Sequence, residues 1–257
     1  MKIALVDSGI GLLAAAAALR RLRPDADLVL SSDPDGMPWG PRTPDDLSEH
    51  ALACARAAAA LAPDALVIAC NTATVHALDA VRAELEPALP VIGTVPAIKP
   101  ASAGGGRVAI WATPATTGSP YQRGLIREFG GSAEITEVAC PGLADAVERA
   151  DATATAAAVA DAAARTPAGT EVLVLGCTHY ELVVEQIRAA VSERGSAPVF
   201  LGSADAVAAQ ALRRIAPGTP EGSGTLTVLH TGRAAALPAA ALSYPEGRLL
   251  AGLVRAR

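Results

Sequence analysis

The chain has 257 residues, a formal net charge of −5, and a composition that is 51% hydrophobic but only 3% aromatic. That length suits two compact domains or one large one, with a core built from alanine and aliphatic side chains rather than rings. An acidic balance with no basic run and no interleaved aromatic stripe argues against a nucleic-acid partner. The longest apolar stretch, Leu12 to Leu19, is too short to cross a bilayer and ends on Arg20 and Arg21. Asp7 interrupts any signal-peptide core. The four cysteines form no CxxC and no disulfide framework. These features predict a soluble, cytoplasmic protein with reduced thiols and no membrane partner.

In chain order, Lys2–Val6 reads as a buried strand and Leu12–Leu22 as a helix, followed by a strand at Asp27–Leu30. The helix at Pro44–Leu61 has a clear start. Thr43 can cap it, Pro44 suits its first turn, and Asp45 and Asp46 favour its positive end. Strand Ala65–Ala69, helix Thr74–Leu85 and strand Pro90–Gly93 follow. The segment Ile98–Gly106 ends this unit, before strand Arg107–Trp111 and helix Pro120–Phe129. Helix Ala152–Arg165, strand Glu171–Leu175, helices Glu181–Glu193 and Ser203–Arg214, and strand Thr225–Leu229 complete the series. Pro217–Gly224 reads as a helix end rather than a domain boundary. Strand–helix alternation predicts an α/β fold with mainly parallel sheets flanked by helices.

A weak internal echo suggests two similar lobes. KIALVDSG at residues 2–9 is matched by RVAIWATP at 107–114, and ALVIACNT at 65–72 by VLVLGCTH at 172–179. The separation from Ser8 to Cys70 nearly equals that from Thr113 to Cys177. Each half thus pairs one hydroxyl loop with one cysteine loop.

In parallel α/β sheets ligands bind beyond the carboxyl ends of the strands. Asp7-Ser8-Gly9, Cys70-Asn71-Thr72, Thr113 to Thr116 and Cys177-Thr178-His179 all fall at such ends, ahead of helices. Helix N-termini suit a carboxylate. Ser8, Asn71, Thr72, Thr116 and Thr178 add neutral donors, and no arginine or lysine lies in these motifs. A cysteine at a strand-to-helix turn feels the helix dipole, which makes it a competent proton carrier. Two such cysteines on opposite faces of one carbon are what inversion by deprotonation requires. Asp7 would assist Cys70, and His179 would assist Cys177.

The structural alternatives are ordinary ones. Either cysteine alone fits a core position. Asp7 suits a helix cap, and His179 a surface loop. Cys54 and Cys140 lack the Cys-polar-Thr setting and read as core. His50 and Cys54 lie four apart on one helix, but no second pair completes a metal site, and none is expected. His76 and His230 read as structural. Gly104–Gly106 precedes a strand and is no phosphate loop. No GxSxG is present.

Taken together the motifs resemble the aspartate/glutamate racemase family. The matching segments are DSGIG at Asp7–Gly11, PWGPRT at Pro38–Thr43, ACNTA at Ala69–Ala73 and IGTVPAIKP at Ile92–Pro100. They continue with ATPATTGS at Ala112–Ser119 followed by Tyr121, Cys140-Pro141, and GCTHY at Gly176–Tyr180. The resemblance implies two α/β lobes with the active site in the cleft between them. The chain's last portion would return to the first lobe, giving 1–98 plus about 205–257, and 99–204. It further implies cofactor-independent interconversion of L- and D-glutamate, serving the bacterial cell wall, with no metal, and a homodimer. Carried over position by position, Cys70 would exchange a proton with D-glutamate and Cys177 with L-glutamate, with Asp7 and His179 in support. Ser8, Trp39, Gly40, Asn71, Thr72, Thr116 and Thr178 would bind substrate. Asp33 and Glu148 would be supporting acids.

Two positions depart from the family pattern. Leu12 follows Gly11 where a second glycine is usual, and Trp39 stands where tyrosine is usual. Both leave aspartate or another amino acid open as the substrate, and a non-catalytic amino-acid-binding protein is the rival from a different class.

Overall fold

A run of aliphatic residues with no polar break forms the first strand, β1 (Lys2–Asp7), whose last five residues are all buried. Strands covered on both faces read this way in parallel sheets. The computed structural model describes residues 1–195, 197–215 and 223–252. Helix α1 (Leu13–Leu22) follows, then β2 (Asp27–Ser32), α2 (Pro44–Ala59), β3 (Ala65–Ile68), α3 (Asn71–Leu85) and β4 (Val91–Gly93). Next come α4 (Ile98–Ser102), β5 (Arg107–Ala112), α5 (Pro120–Phe129), β6 (Glu134–Ala139), α6 (Leu143–Glu148), α7 (Ala152–Arg165), β7 (Val172–Leu175), α8 (Thr178–Glu181), α9 (Val184–Ser192) and β8 (Val199–Leu201). The chain ends with α10 (Ala204–Arg214), β9 (Leu226–His230), β10 (Arg233–Ala235) and α11 (Pro245–Leu250).

These elements form two compact units, Met1–Val95 with Ala204–Arg257, and Pro96–Ser203. The first boundary lies a few residues before the expected 98/99. Pro96 to Ile98 already belong to the second unit, because Ile98 is buried in that unit's core with Ala101, Val108, Ile110 and Val174. Most of the Pro217–Gly224 segment lies outside the described residues.

The first unit holds a six-stranded sheet ordered β10-β9-β2-β1-β3-β4. All neighbours are parallel except β9 and β10, which form an antiparallel edge hairpin. Residues Leu13 to Leu19 of α1 are all buried. Five of those seven are alanine, and α1 packs against both α10 and α11. Small side chains let helices approach closely without leaving voids. The opposite layer is α2 and α3, whose core includes Trp39, Leu47, Cys54, Leu66, Ile68 and Cys70. Each fully buried Leu or Ile contributes about 1.5–3 kcal/mol against solvent exposure. Thr43 does cap α2, accepting the Asp46 N–H at 3.4 Å.

The second unit holds a four-stranded parallel sheet, β6-β5-β7-β8. Ser119 caps α5 through the Gln122 N–H at 3.1 Å, and Asp151 caps α7 through the Ala154 N–H at 2.9 Å. Of the predicted helix Glu181–Glu193, Glu181 is the last residue of α8 and Val184–Ser192 form α9. Buried Leu182 and Val183 separate them, and Val183 leaves helical geometry at φ −123° and ψ 22°. Among the described residues no helix is long and apolar enough to cross a membrane.

Candidate active site

In the first unit, register places the expected residues at one sheet edge. Asp7 is the last residue of β1 and pairs with Ser32 of β2, while Val6 pairs with Ile68 of β3. Asp7, Asp33 and the Ala69–Thr72 loop therefore sit side by side at the carboxyl ends of three adjacent strands. The Asp7 carboxylate is fully buried and accepts the Ser8 N–H at 2.6 Å and the Ser8 hydroxyl at 3.2 Å. Cys70 is the N-cap of α3, with Sγ accepting the Ala73 N–H at 3.5 Å. A thiolate in this position is stabilised by the helix end.

Asn71, Thr72 and Gly40 are placed in the same unit. Asn71 is the first residue of α3 and is buried, yet among the described residues neither its Nδ2 nor its Oδ1 has a hydrogen-bond partner. A buried polar group left in that state costs about 1–3 kcal/mol.

Asp33 organises the loop that carries Trp39 and Gly40. Its Oδ2 accepts the Trp39 indole N–H at 3.0 Å and lies 2.7 Å from Nδ1 of His50. Its Oδ1 accepts the Gly36 N–H and the Thr231 hydroxyl, each at 3.2 Å. The Trp39 ring is buried in the same core cluster as Cys70. The indole thus answers a buried acid beside the thiol's own packing. His50, weighed with Cys54 as half a metal site, faces Asp33 and Asp46 instead. Among the described residues no three His, Cys, Asp or Glu side chains gather in a metal-binding cluster.

Two residues beyond the sequence reading hold the Cys70 loop. Thr94 donates its hydroxyl to the Ile68 carbonyl at 2.7 Å, and its N–H binds Thr74 Oγ1 at 2.9 Å. Both threonines are buried. Thr94 follows Gly93 within a quoted motif, so its place was visible; its partner across the strands was not. A Cβ on Gly93 would lie 2.8 Å from both Thr74 and Leu78, so the close approach requires glycine.

In the second unit the pattern repeats. Ala112 pairs with Ala139 and Trp111 with Leu175, so Thr113, Cys140 and Gly176-Cys177 follow three adjacent strand ends. Cys177 is the N-cap of α8. Its Sγ lies 3.9 Å from Nδ1 of His179, whose Nε2 lies 2.8 Å from Oε2 of Glu148. This is a thiol, an imidazole and a carboxylate in series. A carboxylate behind the ring fixes its orientation. Thr178, next to Cys177, and Thr116 are both buried, and Thr116 Oγ1 accepts the Thr113 hydroxyl at 3.2 Å.

The other two cysteines are chemically different. Burial pushes the Cys54 thiol up to about 12, with the Asp33 charge adding to it. Burial does the same for Cys140, also to about 12. Thiols held protonated so far above neutrality are inert. Cys140 contributes through its carbonyl, which accepts the hydroxyl of fully buried Tyr180 at 3.3 Å.

Comparison with known proteins decides the family. A sequence profile described as Asp/Glu/Hydantoin racemase matches residues 11–218. The chain belongs to the Asp/Glu/Hydantoin racemase family. Within that racemase family, it is 38% identical over 213 residues to the glutamate racemase of Roseiflexus sp. (strain RS-1), covering 80% of this chain and 76% of the relative. It is 33% identical over 236 residues to that of Herpetosiphon aurantiacus, covering 86% and 89%. A crystal structure of Escherichia coli glutamate racemase, in complex with L-glutamate and the activator UDP-MurNAc-Ala, superposes with a TM-score of 0.78 at 26% identity. That match covers 94% of this chain and 91% of the other. The motifs quoted from residues 38 to 180 fall within the span matched to the racemase family, and Gly11 begins it.

Proposed function

We propose that this protein interconverts L- and D-glutamate by a two-thiol proton exchange at Cα, without a cofactor. The observation that carries the reading is the pairing of two strand-end cysteines. Each is the N-cap of a helix, one with Asp7 at the neighbouring strand end, the other backed by His179 and Glu148. Glutamate is the substrate named for the relatives from Roseiflexus and Herpetosiphon.

The proposed sequence starts with substrate bound by the strand-end loops. Asn71, Thr72, Thr116, Thr178, Ser8 and the Trp39-Gly40 loop hold its amino and carboxylate groups. For L-glutamate, Cys177 as thiolate takes the Cα proton, and the electron pair is left on Cα and its carboxylate. Cys70, as thiol, then delivers its proton to the opposite face, giving D-glutamate and a Cys70 thiolate. The reverse direction runs the same steps from Cys70. One proton leaves and one arrives, so nothing is oxidised or reduced. His179, held by Glu148, positions the Cys177 thiol and can exchange its proton. Asp7 serves the Cys70 side. A buried dipole or charge aimed at developing negative charge lowers the barrier.

The reading includes a cytoplasmic location, supply of D-glutamate for peptidoglycan, and a homodimer, which gel filtration tests. In heavy water, incubation with L-glutamate yields D-glutamate carrying one deuterium at Cα. Cys70→Ser and Cys177→Ser each abolish inversion. Full rates in both variants refute the two-thiol mechanism. Inversion of aspartate or another amino acid in place of glutamate assigns the substrate differently and keeps the mechanism. Binding with no Cα exchange on any amino acid leaves a binding protein.

A further inference from the structure

We propose that Glu137 is a positioning residue for the Thr113–Ser119 loop, and that Gln122 completes its anchor. This rests on the reading that the loop's Thr116 binds the substrate.

Glu137 lies on β6, opposite Ile110 of β5, two residues short of the strand end. It is half-buried at the sheet's edge. Its Oε1 accepts two hydrogen bonds, from the Gly118 N–H at 2.8 Å and from Gln122 Nε2 at 2.6 Å. Gln122 is fully buried. One carboxylate oxygen thus ties the last turn of the loop to the first turn of the helix that follows it. Gly118 sits at φ +69°, the left-handed region that favours glycine.

The loop's own bonds do not fix this point. The Thr117 hydroxyl and the Thr116 and Thr117 amides all return to the Thr113 carbonyl, closing a compact turn on the end of β5. Ser119 then caps α5. Among the hydrogen bonds of the described residues, those of Glu137 tie that turn to the neighbouring strand. Burying Gln122 with its Oε1 unbonded is unfavourable, and the charge-assisted bond to Glu137 offsets it. The arrangement spends stability to hold a loop at a fixed height above the sheet.

The test uses the full chain with three variants. Glu137→Ala removes the acceptor, Glu137→Gln keeps an acceptor oxygen, and Gln122→Met keeps the volume but not the amide. Expected for Glu137→Ala is a KM for glutamate raised about tenfold with kcat changed less than threefold. Glu137→Gln stays within about threefold of the wild-type KM. Amide hydrogen exchange across residues 116–118 quickens in Glu137→Ala and not in Glu137→Gln. A KM within twofold of wild type for Glu137→Ala overturns the proposal. Equal impairment of Glu137→Gln and Glu137→Ala also overturns it. If Glu137→Ala melts without cooperativity, Gln122→Met decides on the same KM criterion. If the wild-type protein turns over no glutamate, the functional reading fails, and exchange at 116–118 separately decides whether Glu137 anchors the loop.

Discussion

The imidazole of His179 stands between Glu148, 2.8 Å from its Nε2, and Cys177, 3.9 Å from its Nδ1. Replacing Glu148 by glutamine removes the carboxylate that orients this ring. We expect kcat/KM to fall about 10- to 100-fold. Because the two enantiomers have equal energy, the fall must be the same in both directions. The asymmetry shows in isotope effects. With Cys177 weakened, the Cα-deuterium effect on kcat/KM rises for L-glutamate, and the heavy-water effect rises for D-glutamate. Unchanged isotope effects with a reduced rate place Glu148 outside this relay.

Asn71 offers a separation of stability from activity. Its buried carboxamide has no hydrogen-bond partner among the described residues, so Asn71→Ala sacrifices none of their bonds. Urea unfolding should show a change of less than about 1 kcal/mol, or a gain of that order. The KM for substrate should rise by about tenfold or more. A loss of stability above about 2 kcal/mol shows that the carboxamide is partnered within the folded protein.

The Asp33 cluster should be sensitive to volume. A Cβ on Gly36 would sit 2.0 Å from Asp33 Oδ2 and 2.5 Å from His50 Nδ1. Gly36→Ala must displace that pair, and we expect a cost of about 2 kcal/mol or more. Trp39→Phe leaves the buried carboxylate without its indole donor and should cost about 1.5–3 kcal/mol from the bond alone. Chemical denaturation of both variants measures this. A Trp39→Phe protein as stable as wild type shows that Asp33 does not depend on the indole.

Alkaline stability should carry the signature of Cys54. Its thiol is pushed from 9.0 to about 12, first by burial. Above pH 9 the unfolded chain releases this proton and the folded one retains it, so unfolding is favoured as pH rises. The contribution is intact below pH 9 and declines toward pH 12, by up to about 1.4 kcal/mol per pH unit. Cys54→Ala loses about 1–2 kcal/mol at pH 7.5 to the cavity. Its disadvantage should shrink between pH 9 and 10.5 in reducing buffer. A constant difference across that range contradicts the buried protonated thiol.

Much of the fold was legible because the strands β1, β3, β5 and β7 are continuous aliphatic runs that end on Ser, Thr or Cys motifs. Such runs are buried on both faces wherever they are placed. The strand β6, with Glu134, Thr136 and Glu137 interleaved with apolar residues, escaped that reading. It is an edge strand with largely part-exposed side chains, and nothing in its local pattern distinguishes it from a loop. The break between α8 and α9 was hidden for the opposite reason. Leu182 and Val183 are apolar and fit a helix locally, yet in the fold both are buried and Val183 leaves helical geometry.

By itself the sequence determined the chemistry on offer: two strand-end cysteines in matching contexts, with hydroxyl and amide donors beside them. Short-range spacing settles those, because a strand followed at once by a helix puts the intervening residue at a helix N-terminus. Tertiary structure alone decided which partners complete them. Glu148 reaches His179 across 31 residues, Thr94 reaches Ile68 across 26, and Thr231 reaches Asp33 across 198. Those pairings depend on which strands become neighbours in a sheet. Strand order follows from how each helix packs its face, and no local pattern of residues encodes it.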